Sequence, residues 1–200
     1  LLAVIFAVPA GYAISRTEFI GKGAVDTLLD LPIVLSPVAL GAALLIFFNT
    51  PVGEEIENRL LRFVFEIPGI VLAQFVVITA LAVRLMKSAF DGISERYETV
   101  ARTLGCNRWQ AFFKVTLPLA KNGLIASAIL AWARAAGEFG ATVTLAGATR
   151  MKTETLPIAI YLSLSSVDVE KAVAVILVLI TISLVTLIFL RRVGGRRYPL

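Results

Sequence analysis

Residues 98–118, ETVARTLGCNRWQAFFKVTLP, form the most polar and most basic stretch of an otherwise apolar chain. Apolar residues at helical spacing predict an amphipathic helix in and just before its first half. They are Ile93, Tyr97, Val100, Ala101 and Leu104. Gly105 is expected to end this helix, because glycine is the usual residue just past a helix C-terminus. Asn107 is expected to cap a second helix over 108–115, and Pro118 predicts a break after it.

Two short helices between two long apolar segments have two interpretations. One is a rigid unit outside the lipid that docks to another protein. The other is an amphipathic loop that lies on the bilayer surface, as most such helices in membrane proteins do. The helical periodicity alone is compatible with both.

The composition indicates an integral membrane protein. The chain has 200 residues, of which 58% are hydrophobic and only 16% charged, and its mean hydropathy is +0.87. Soluble domains are about half apolar and about one quarter charged. The net charge of +5 resides in the loops, so membrane topology explains it better than nucleic-acid binding does. With one cysteine, Cys106, and no histidine, neither an internal disulfide nor a metal site nor a histidine-based catalytic site is expected.

Hydropathy predicts an all-α polytopic membrane helical bundle with five spans. A span needs about 20 apolar residues. The candidate spans are residues 1–15, 31–48, 68–83, 122–148 and 172–190. Pro32 and Pro37 predict a kink or partial break in the second span. The chain opens inside an apolar run without a methionine, so we expect a truncated N-terminus and six spans in the full protein. Residues 1–200 are expected to form one transmembrane domain, with a long loop over 87–121.

The basic residues predict which loops are cytoplasmic, because short cytoplasmic loops carry an excess of Lys and Arg. They are Arg16 and Lys22 in the first loop; Arg84, Lys87, Arg96, Arg102, Arg108, Lys114 and Lys121 in and beside the long loop; and Arg191, Arg192, Arg196 and Arg197 in the tail. These three regions alternate with two loops poorer in basic residues. The long loop and the C-terminus of this multi-pass protein are therefore predicted to face the cytoplasm, at the cell membrane.

Arg134 and Glu138 place two charges inside the fourth predicted span. They are four residues apart, so they share a helical face, and each charge costs about 2.5–3.5 kcal/mol at the centre of a span. They could line a translocation pathway, in which Arg134 attracts an oxyanion and Glu138 helps to gate it. Thr142 could add polar lining, although hydroxyls in spans more often bond back to their own helix. Alternatively the two charges form a structural ion pair, which we favour because a paired arginine has less charge left for a substrate.

The chain lacks the phosphate-binding loop G-x-x-x-x-G-K-[ST]. Gly21-Lys22-Gly23 has neither the earlier glycine nor the hydroxyl residue of that motif. If transport is driven by ATP, a separate ATPase subunit must hydrolyse it. This chain is therefore not expected to be an enzyme, and no catalytic residue is assigned to it.

The long loop resembles the signature of permease subunits of ATP-binding-cassette importers. The matching positions are Glu98, Ala101, Gly105 and Leu117-Pro118. The signature's central alanine is replaced in this chain, which reads ETVA at 98–101. The run ARTLG at 101–105 and the downstream run WARAAGEFGAT at 132–142 are similar to the molybdate and tungstate branch of that family. Sulfate permeases look similar in the second run, usually with tyrosine at the position of Phe139.

This resemblance implies the type I importer permease fold and makes the 87–121 loop the element that couples to ATPases. The implied coupling residues are Glu98, Ala101, Arg102, Leu104, Gly105, Arg108, Leu117 and Pro118. It further implies a homodimer in the lipid bilayer, two cytoplasmic ATPase subunits that bind ATP and Mg²⁺, and an external oxyanion-binding protein. No cofactor is expected in this chain. The implied cargo is molybdate or tungstate, imported by alternating access, with sulfate or thiosulfate as the alternative.

Two other classes of protein are compatible with the composition. An ion-coupled secondary transporter should show internal repeats and buried titratable groups along its pathway. The sequence has no clear repeat, and Glu138 is its only deeply placed carboxylate. A membrane scaffold would need no polar path at all. The importer-like signature of the 87–121 loop argues against both.

Overall fold

The computed structural model describes residues 2–194, which form helices and no strands. The helices are α1 (Leu2–Arg16), α2 (Lys22–Val34), α3 (Pro37–Phe48), α4 (Pro51–Arg59), α5 (Ile67–Asp91), α6 (Arg96–Thr103), α7 (Arg108–Ala111), α8 (Leu117–Ala136), α9 (Gly140–Ala146), α10 (Leu156–Ser165) and α11 (Val169–Gly194). A π-helical segment, Phe112–Thr116, lies between α7 and α8. The predicted all-α fold is confirmed. Of the tail residues used to predict orientation, Arg196 and Arg197 lie outside the described residues.

The chain forms two compact units. The first contains the described residues up to Leu29, Thr79–Trp132 and those from Leu187 onwards. The second contains Asp30–Ile78 and Ala133–Thr186. The single transmembrane domain expected over 1–200 stays a prediction.

In the first unit, α1 packs against the second half of α5. A methyl group added at Gly11 would lie 2.8 Å from the backbone nitrogen of Lys87, so the two helices cross closely at this glycine. Met86 and Phe90 of α5 are completely buried beside this crossing. The ring of Tyr12 meets that of Phe90 edge to face at 5.4 Å. The crossing therefore brings the end of α1 to the connection between α5 and α6.

In the second unit, α3 packs along α9. A methyl group added at Gly41 would lie 2.7 Å from the carbonyl oxygen of Ala141, a distance that β-carbons do not reach in folded proteins. Leu145 of α9 and Ile158 of α10 are completely buried. The amide of Phe65 donates a hydrogen bond to the carbonyl of Leu145 at 3.1 Å. The residues around α9 thus form the core of this unit.

The second predicted span, residues 31–48, is not one continuous helix. It corresponds to the end of α2 and to α3, which are bent by 106° relative to each other. Helix α2 ends at Val34, and Ser36 caps α3, because its hydroxyl accepts the amide of Ala39 at 3.2 Å. Pro37 occupies the first position of α3, where its missing N–H is not needed. The predicted break is therefore confirmed, and it lies immediately before Pro37.

The fourth predicted span, residues 122–148, also needs correction. Helix α8 begins earlier, at Leu117, and ends at Ala136, and α9 starts only at Gly140. Gly137 follows the last residue of α8, and glycine is common where a helix stops. Arg134 and Glu138 therefore lie on either side of a helix end, not within one span.

Within the described residues, three helices are long and apolar enough to cross a membrane. They are Ile67–Asp91, Arg108–Ala136 and Val169–Phe189. Helices α2 and α3 would add a fourth if the bent pair crosses as one broken span. Helix α1 has 15 residues, fewer than the usual length of about 20. The count of five spans therefore stays a prediction. The segments expected to be loops at 49–67 and 149–168 contain α4 and α10.

Candidate functional site

Helix α6 ends as the sequence predicts. The amide of Gly105 donates to the carbonyl of Arg102, and the amide of Cys106 donates to the carbonyl of Ala101, both at 3.1 Å. This pair of bonds is the Schellman arrangement, which satisfies the last carbonyls of a helix. Gly105 has φ +93°, a conformation that side chains other than hydrogen rarely allow. The start of the helix differs from the prediction, because Ile93 precedes α6, which begins at Arg96.

Helix α7 begins at a capping box. The side chain of Asn107 accepts the amide of Gln110 at 2.8 Å, and the side chain of Gln110 accepts the amide of Asn107 at 2.9 Å. The predicted cap at Asn107 is confirmed. Of the helix predicted over 108–115, only Arg108–Ala111 is α-helical, and the π-helical segment follows it.

Pro118 does not break the helix, so that prediction is wrong. Helix α7, the π-helical segment and α8 form one continuous helix, Arg108–Ala136. The amide of Leu117 donates to the carbonyl of Phe112, five residues earlier. A proline ring in a regular helix would clash with the carbonyl four residues before it, here that of Lys114. The wider π turn lies at this place, and it accommodates the proline without a break.

Glu98 points into the first unit, where α1 holds it. Its Oε1 accepts a hydrogen bond from Nε of Arg16 at 2.9 Å, and its Oε2 accepts one from the Tyr12 hydroxyl at 2.8 Å. The side chains of Arg16 and Glu98 are only 10% and 14% exposed. Burial by itself would raise the pKa of Glu98, but the hydrogen bonds from Arg16 and Tyr12 and the charge of Arg16 outweigh it and lower the pKa below its ordinary value. Glu98 is therefore held as a carboxylate. We call these three residues the Arg16 cluster.

The predicted coupling residues fall into two groups by exposure. Glu98 and Ala101 face inward, and Ala101 is 7% exposed, so its small size serves internal packing and not the outer surface. The exposed members are Arg102, Leu104, Gly105, Arg108 and Pro118, and Leu117 is half-buried. The signature is thus divided between residues that hold the loop and residues that solvent or a partner can reach.

Five large apolar side chains of the 87–121 loop are exposed, and we call them together the exposed apolar face. They are Tyr97, Val100, Leu104, Trp109 and Phe113, each more than half exposed. The first three lie at helical spacing on or next to α6. The rings of Trp109 and Phe113 stack at 6.5 Å on the second helix. The single apolar face predicted for this helix is therefore divided, with Tyr97, Val100 and Leu104 turned outward and Ala101 turned inward.

Arg134 and Glu138 form an ion pair at the end of α8 in the second unit. Nη1 of Arg134 donates to Oε2 of Glu138 at 2.7 Å, and the amide of Ala141 donates to Oε1 at 3.1 Å. Glu138 is 1% exposed, whereas the side chain of Arg134 is 42% exposed. Since Ala141 lies in the first turn of α9, Glu138 ties the end of one helix to the start of the next.

Thr142, in the first turn of α9, is completely buried. Its hydroxyl has no hydrogen-bond partner among the described residues. Glu138 and Thr142 are therefore both buried, and the carboxylate of Glu138 accepts bonds from Arg134 and Ala141, whereas the side chain of Arg134 is half exposed. This arrangement is compatible with both interpretations, the structural pair and the pathway.

Sequence reasoning did not find Tyr12 and Arg16. They lie 86 and 82 residues before Glu98, and no local pattern connects such distant positions. The available signal was their spacing of four residues, which places them on one face of α1. Arg16 served only as a marker of membrane orientation.

An all-helical structure with several helices long and apolar enough to cross a membrane is typical of a multi-pass membrane protein. The family model described as "Binding-protein-dependent transport system inner membrane component" matches residues 3–197. The chain belongs to this family. It is therefore a membrane component of a binding-protein-dependent transport system.

Three similar proteins are named for different cargoes. The molybdenum transport system permease protein ModB of Escherichia coli is 40% identical over 167 residues, 80% of this chain and 73% of that protein. The molybdate/tungstate transport system permease protein WtpB of Thermococcus kodakarensis is 36% identical over 146 residues, 73% and 55% of the two chains. The sulfate transport system permease protein CysW of Synechococcus elongatus is 34% identical over 189 residues, 94% and 66%.

Proposed function

We propose that this chain is the transmembrane subunit of an ATP-driven importer that moves molybdate and tungstate into the cell by alternating access. The observation that carries this proposal is the exposed apolar face of the 87–121 loop. Clustered apolar side chains on a loop outside the lipid mark a site for a partner protein. Arg102 and Arg108 are exposed on the same two helices and can add a charged rim.

The partner that fits this face is an ATPase subunit on the cytoplasmic side. Closure of the ATPases must move the spans, and a short capped helix set in a groove can transmit that movement. ATP and Mg²⁺ bind to the ATPase in this proposal, and no cofactor binds to this chain. The excess of Lys and Arg near the loop supports its cytoplasmic orientation, and the same rule directs the C-terminus to that side.

A second copy of the chain and an external binding protein complete the proposed assembly. Five or six spans form a thin wall around a polar anion, whereas two copies can enclose it. The external protein supplies selectivity, so the permease itself needs only weak contacts with the anion.

The cargo assignment is supported by the relatives named for molybdenum and for molybdate/tungstate. Arg134, Glu138 and Thr142 are the candidate pathway residues, and in that role the half-exposed side chain of Arg134 would meet an oxyanion, but we favour a structural role for the Arg134–Glu138 pair. Sulfate is the second candidate, because the similarity to the sulfate permease protein of Synechococcus elongatus extends over 94% of this chain. All three anions are tetrahedral and carry two negative charges, so the fold alone does not separate them.

Uptake by the reconstituted complex tests the function. The full-length chain, its ATPase and its binding protein are placed in liposomes, and entry of molybdate, tungstate and sulfate is followed with and without ATP on the ATPase side. ATP-dependent entry of molybdate and tungstate supports the proposal, and a preference for sulfate favours the second candidate. Entry that follows an ion gradient and ignores ATP would indicate a secondary transporter. No entry of any anion would favour a scaffold.

A matched pair of variants tests the docking face. Val100→Asp places a charge on the exposed apolar face, and Val52→Asp places the same charge on α4, where Val52 is 63% exposed. We expect Val100→Asp to reduce co-purification of the ATPase by about tenfold, because a charge in the centre of an interface leaves an unpaired buried group. Val52→Asp should leave it unchanged. Equal effects of the two variants would contradict docking at this face.

A further inference from the structure

Arg16, in the last turn of α1, joins two separate parts of the 87–121 loop. Besides its bond to Glu98, its Nη2 donates to the carbonyl oxygens of Phe90 at 3.1 Å and Ile93 at 2.7 Å. These carbonyls lie at the end of α5 and just beyond it, where a helix leaves acceptors unsatisfied and favours a cation. One guanidinium therefore holds both the end of α5 and the side chain that points inward from α6.

Tyr12 makes a second set of contacts from the same face of α1. Its hydroxyl donates to Glu98, and its ring lies 4.5 Å from the ring of Phe112 in the π-helical segment and 5.4 Å from that of Phe90. Phe112 and Phe90 are both buried. Helix α1 is thus in contact with α5, α6 and the start of the helix that continues into α8.

We infer that Arg16 and Tyr12 are positioning residues for energy coupling, which hold α6 through Glu98 so that a movement imposed on the exposed apolar face also moves α1. The inference rests on the proposed function, in which an ATPase docks at that face. It gives α1 a role in energy coupling in addition to the role of the 87–121 loop.

The geometry gives two reasons for this role. Helix α6 has only eight residues and follows a turn, so a push on its outer face would rotate it unless its inner face is fixed. Its only inward charged anchor among the described residues is Glu98, which both α1 side chains bind. The Arg16 cluster is too buried to contact a partner itself. A movement of α6 must therefore either carry α1 with it or break these hydrogen bonds.

The test measures anion uptake and ATP hydrolysis in the same liposomes, with the full-length chain, the ATPase and the binding protein. The variants are Arg16→Gln, Arg16→Lys, Tyr12→Phe, Glu98→Gln and the double variant Arg16→Gln/Glu98→Gln. Lys22→Gln is the matched control. The ammonium of Lys22 pairs with Glu18 at 2.7 Å and does not contact α6. The Lys22→Gln substitution therefore removes one positive charge, as Arg16→Gln does, without changing a contact of α6. The readout is the number of anions imported per ATP hydrolysed.

We expect Arg16→Gln to lower this ratio by about tenfold, the size expected when charge-assisted hydrogen bonds are lost, while the complex assembles and hydrolyses ATP. Arg16→Lys should recover part of the ratio, because an ammonium can reach one acceptor but lacks the planar fork that reaches several. Tyr12→Phe, which keeps the ion pair, should lower the ratio by about threefold. The double variant should be no worse than Arg16→Gln, because the two residues act through each other. Lys22→Gln should match the wild type.

Three results would overturn the inference. One is an unchanged ratio in an assembled Arg16→Gln complex. Another is a parallel loss of uptake and hydrolysis, which would mean a purely structural role. The third is a reduction of the ratio in the double variant that equals the product of the reductions in the two single variants. If the Arg16→Gln complex does not assemble, the ratio of anions imported to ATP hydrolysed is measured in Tyr12→Phe and Glu98→Gln instead. An unchanged ratio in these variants would overturn the inference. A wild-type complex that imports no anion with ATP would instead overturn the proposed function, and the coupling role with it.

Discussion

Two of the arginine–glutamate pairs in the described part of the chain, Arg16–Glu98 and Arg134–Glu138, differ in what they connect. Arg16 and Glu98, at 2.9 Å, are 82 residues apart and join α1 to α6. Arg134 and Glu138, at 2.7 Å, are four residues apart and join the end of α8 to the start of α9. Both partners of the first pair are shielded, whereas the second combines a buried carboxylate with a half-exposed guanidinium.

The difference teaches that similar chemistry can serve transmission in one place and local geometry in another. A pair between distant elements fixes their relative position, so its loss should show first in movements that both elements share. A pair across a helix end fixes a bend, so its loss should show first in stability.

Removal of Arg134 should give the largest loss of stability. Arg134→Ala leaves the carboxylate of Glu138 buried without its ion-pair partner, which costs about 3 kcal/mol, the lower end of the range for a buried pair, because Arg134 is itself half exposed. We expect a lower melting temperature and a lower yield of assembled complex, with no change in the relative uptake of molybdate, tungstate and sulfate. The measurement is thermal unfolding in detergent together with uptake.

The reverse change provides the control for that pair. Glu138→Gln keeps the shape and can still accept the amide of Ala141, and the half-exposed Arg134 can be hydrated. It should therefore cost less, about 1 kcal/mol. A well-folded Arg134→Ala variant with an altered preference among the anions would show that this pair lines the pathway instead.

Replacement of Gly105 should uncouple the outer surface from transport. Gly105→Val forces a β-branched residue to φ +93°, which costs about 1–2 kcal/mol and disfavours the turn after α6. We expect less anion uptake per ATP hydrolysed. Gly105→Asn is the control, because asparagine tolerates this conformation and no neighbouring atom lies within 4 Å of the added carbon. Unchanged uptake in Gly105→Val would remove the turn from the coupling function.

Loss of the cap at Asn107 should have a smaller effect. Asn107→Ala removes the acceptor for the amide of Gln110, and a lost N-cap costs about 1 kcal/mol. We expect a modest drop in thermal stability and a moderate drop in ATPase binding, because α7 carries part of the exposed apolar face. Asn122→Ala, an exposed position inside α8, should cost nothing. Equal losses in the two variants would mean that the cap is not responsible.

The pH dependence of the Arg16 cluster should be the smallest effect. Because the folded-state pKa of Glu98 lies below its ordinary value of 4.5, the stability that the ionised carboxylate contributes is fully present above pH 4.5. It is lost as the pH falls through the lower folded-state pKa. We expect the melting temperature of the wild type to fall more steeply below pH 4.5 than that of Glu98→Gln. Parallel curves would mean that Glu98 does not carry this dependence.

The contrast between the pairs also explains which features the sequence could predict. The helix end at Gly105, the cap at Asn107 and the spacing of Arg134 and Glu138 depend on a few neighbouring residues, and all are present. The Arg16 cluster depends on the crossing of α1 and α5, which no local pattern specifies. The break predicted at Pro118 was wrong for a similar reason. Proline usually ends a helix, and the π turn that accommodates it here is visible only in the three-dimensional structure.

The π-helical segment has a consequence for the angular relation between the two ends of its helix. An α-helix advances about 100° per residue, and a π turn holds one residue more than an α turn. Trp109 is therefore displaced around the helix axis by roughly a quarter of a circle from the azimuth that an uninterrupted α-helix would give it. The direction in which Trp109 points is thus set by the five residues Phe112–Thr116. A one-residue deletion there would rotate Trp109 around the helix axis and shorten the helix by only about 1.5 Å.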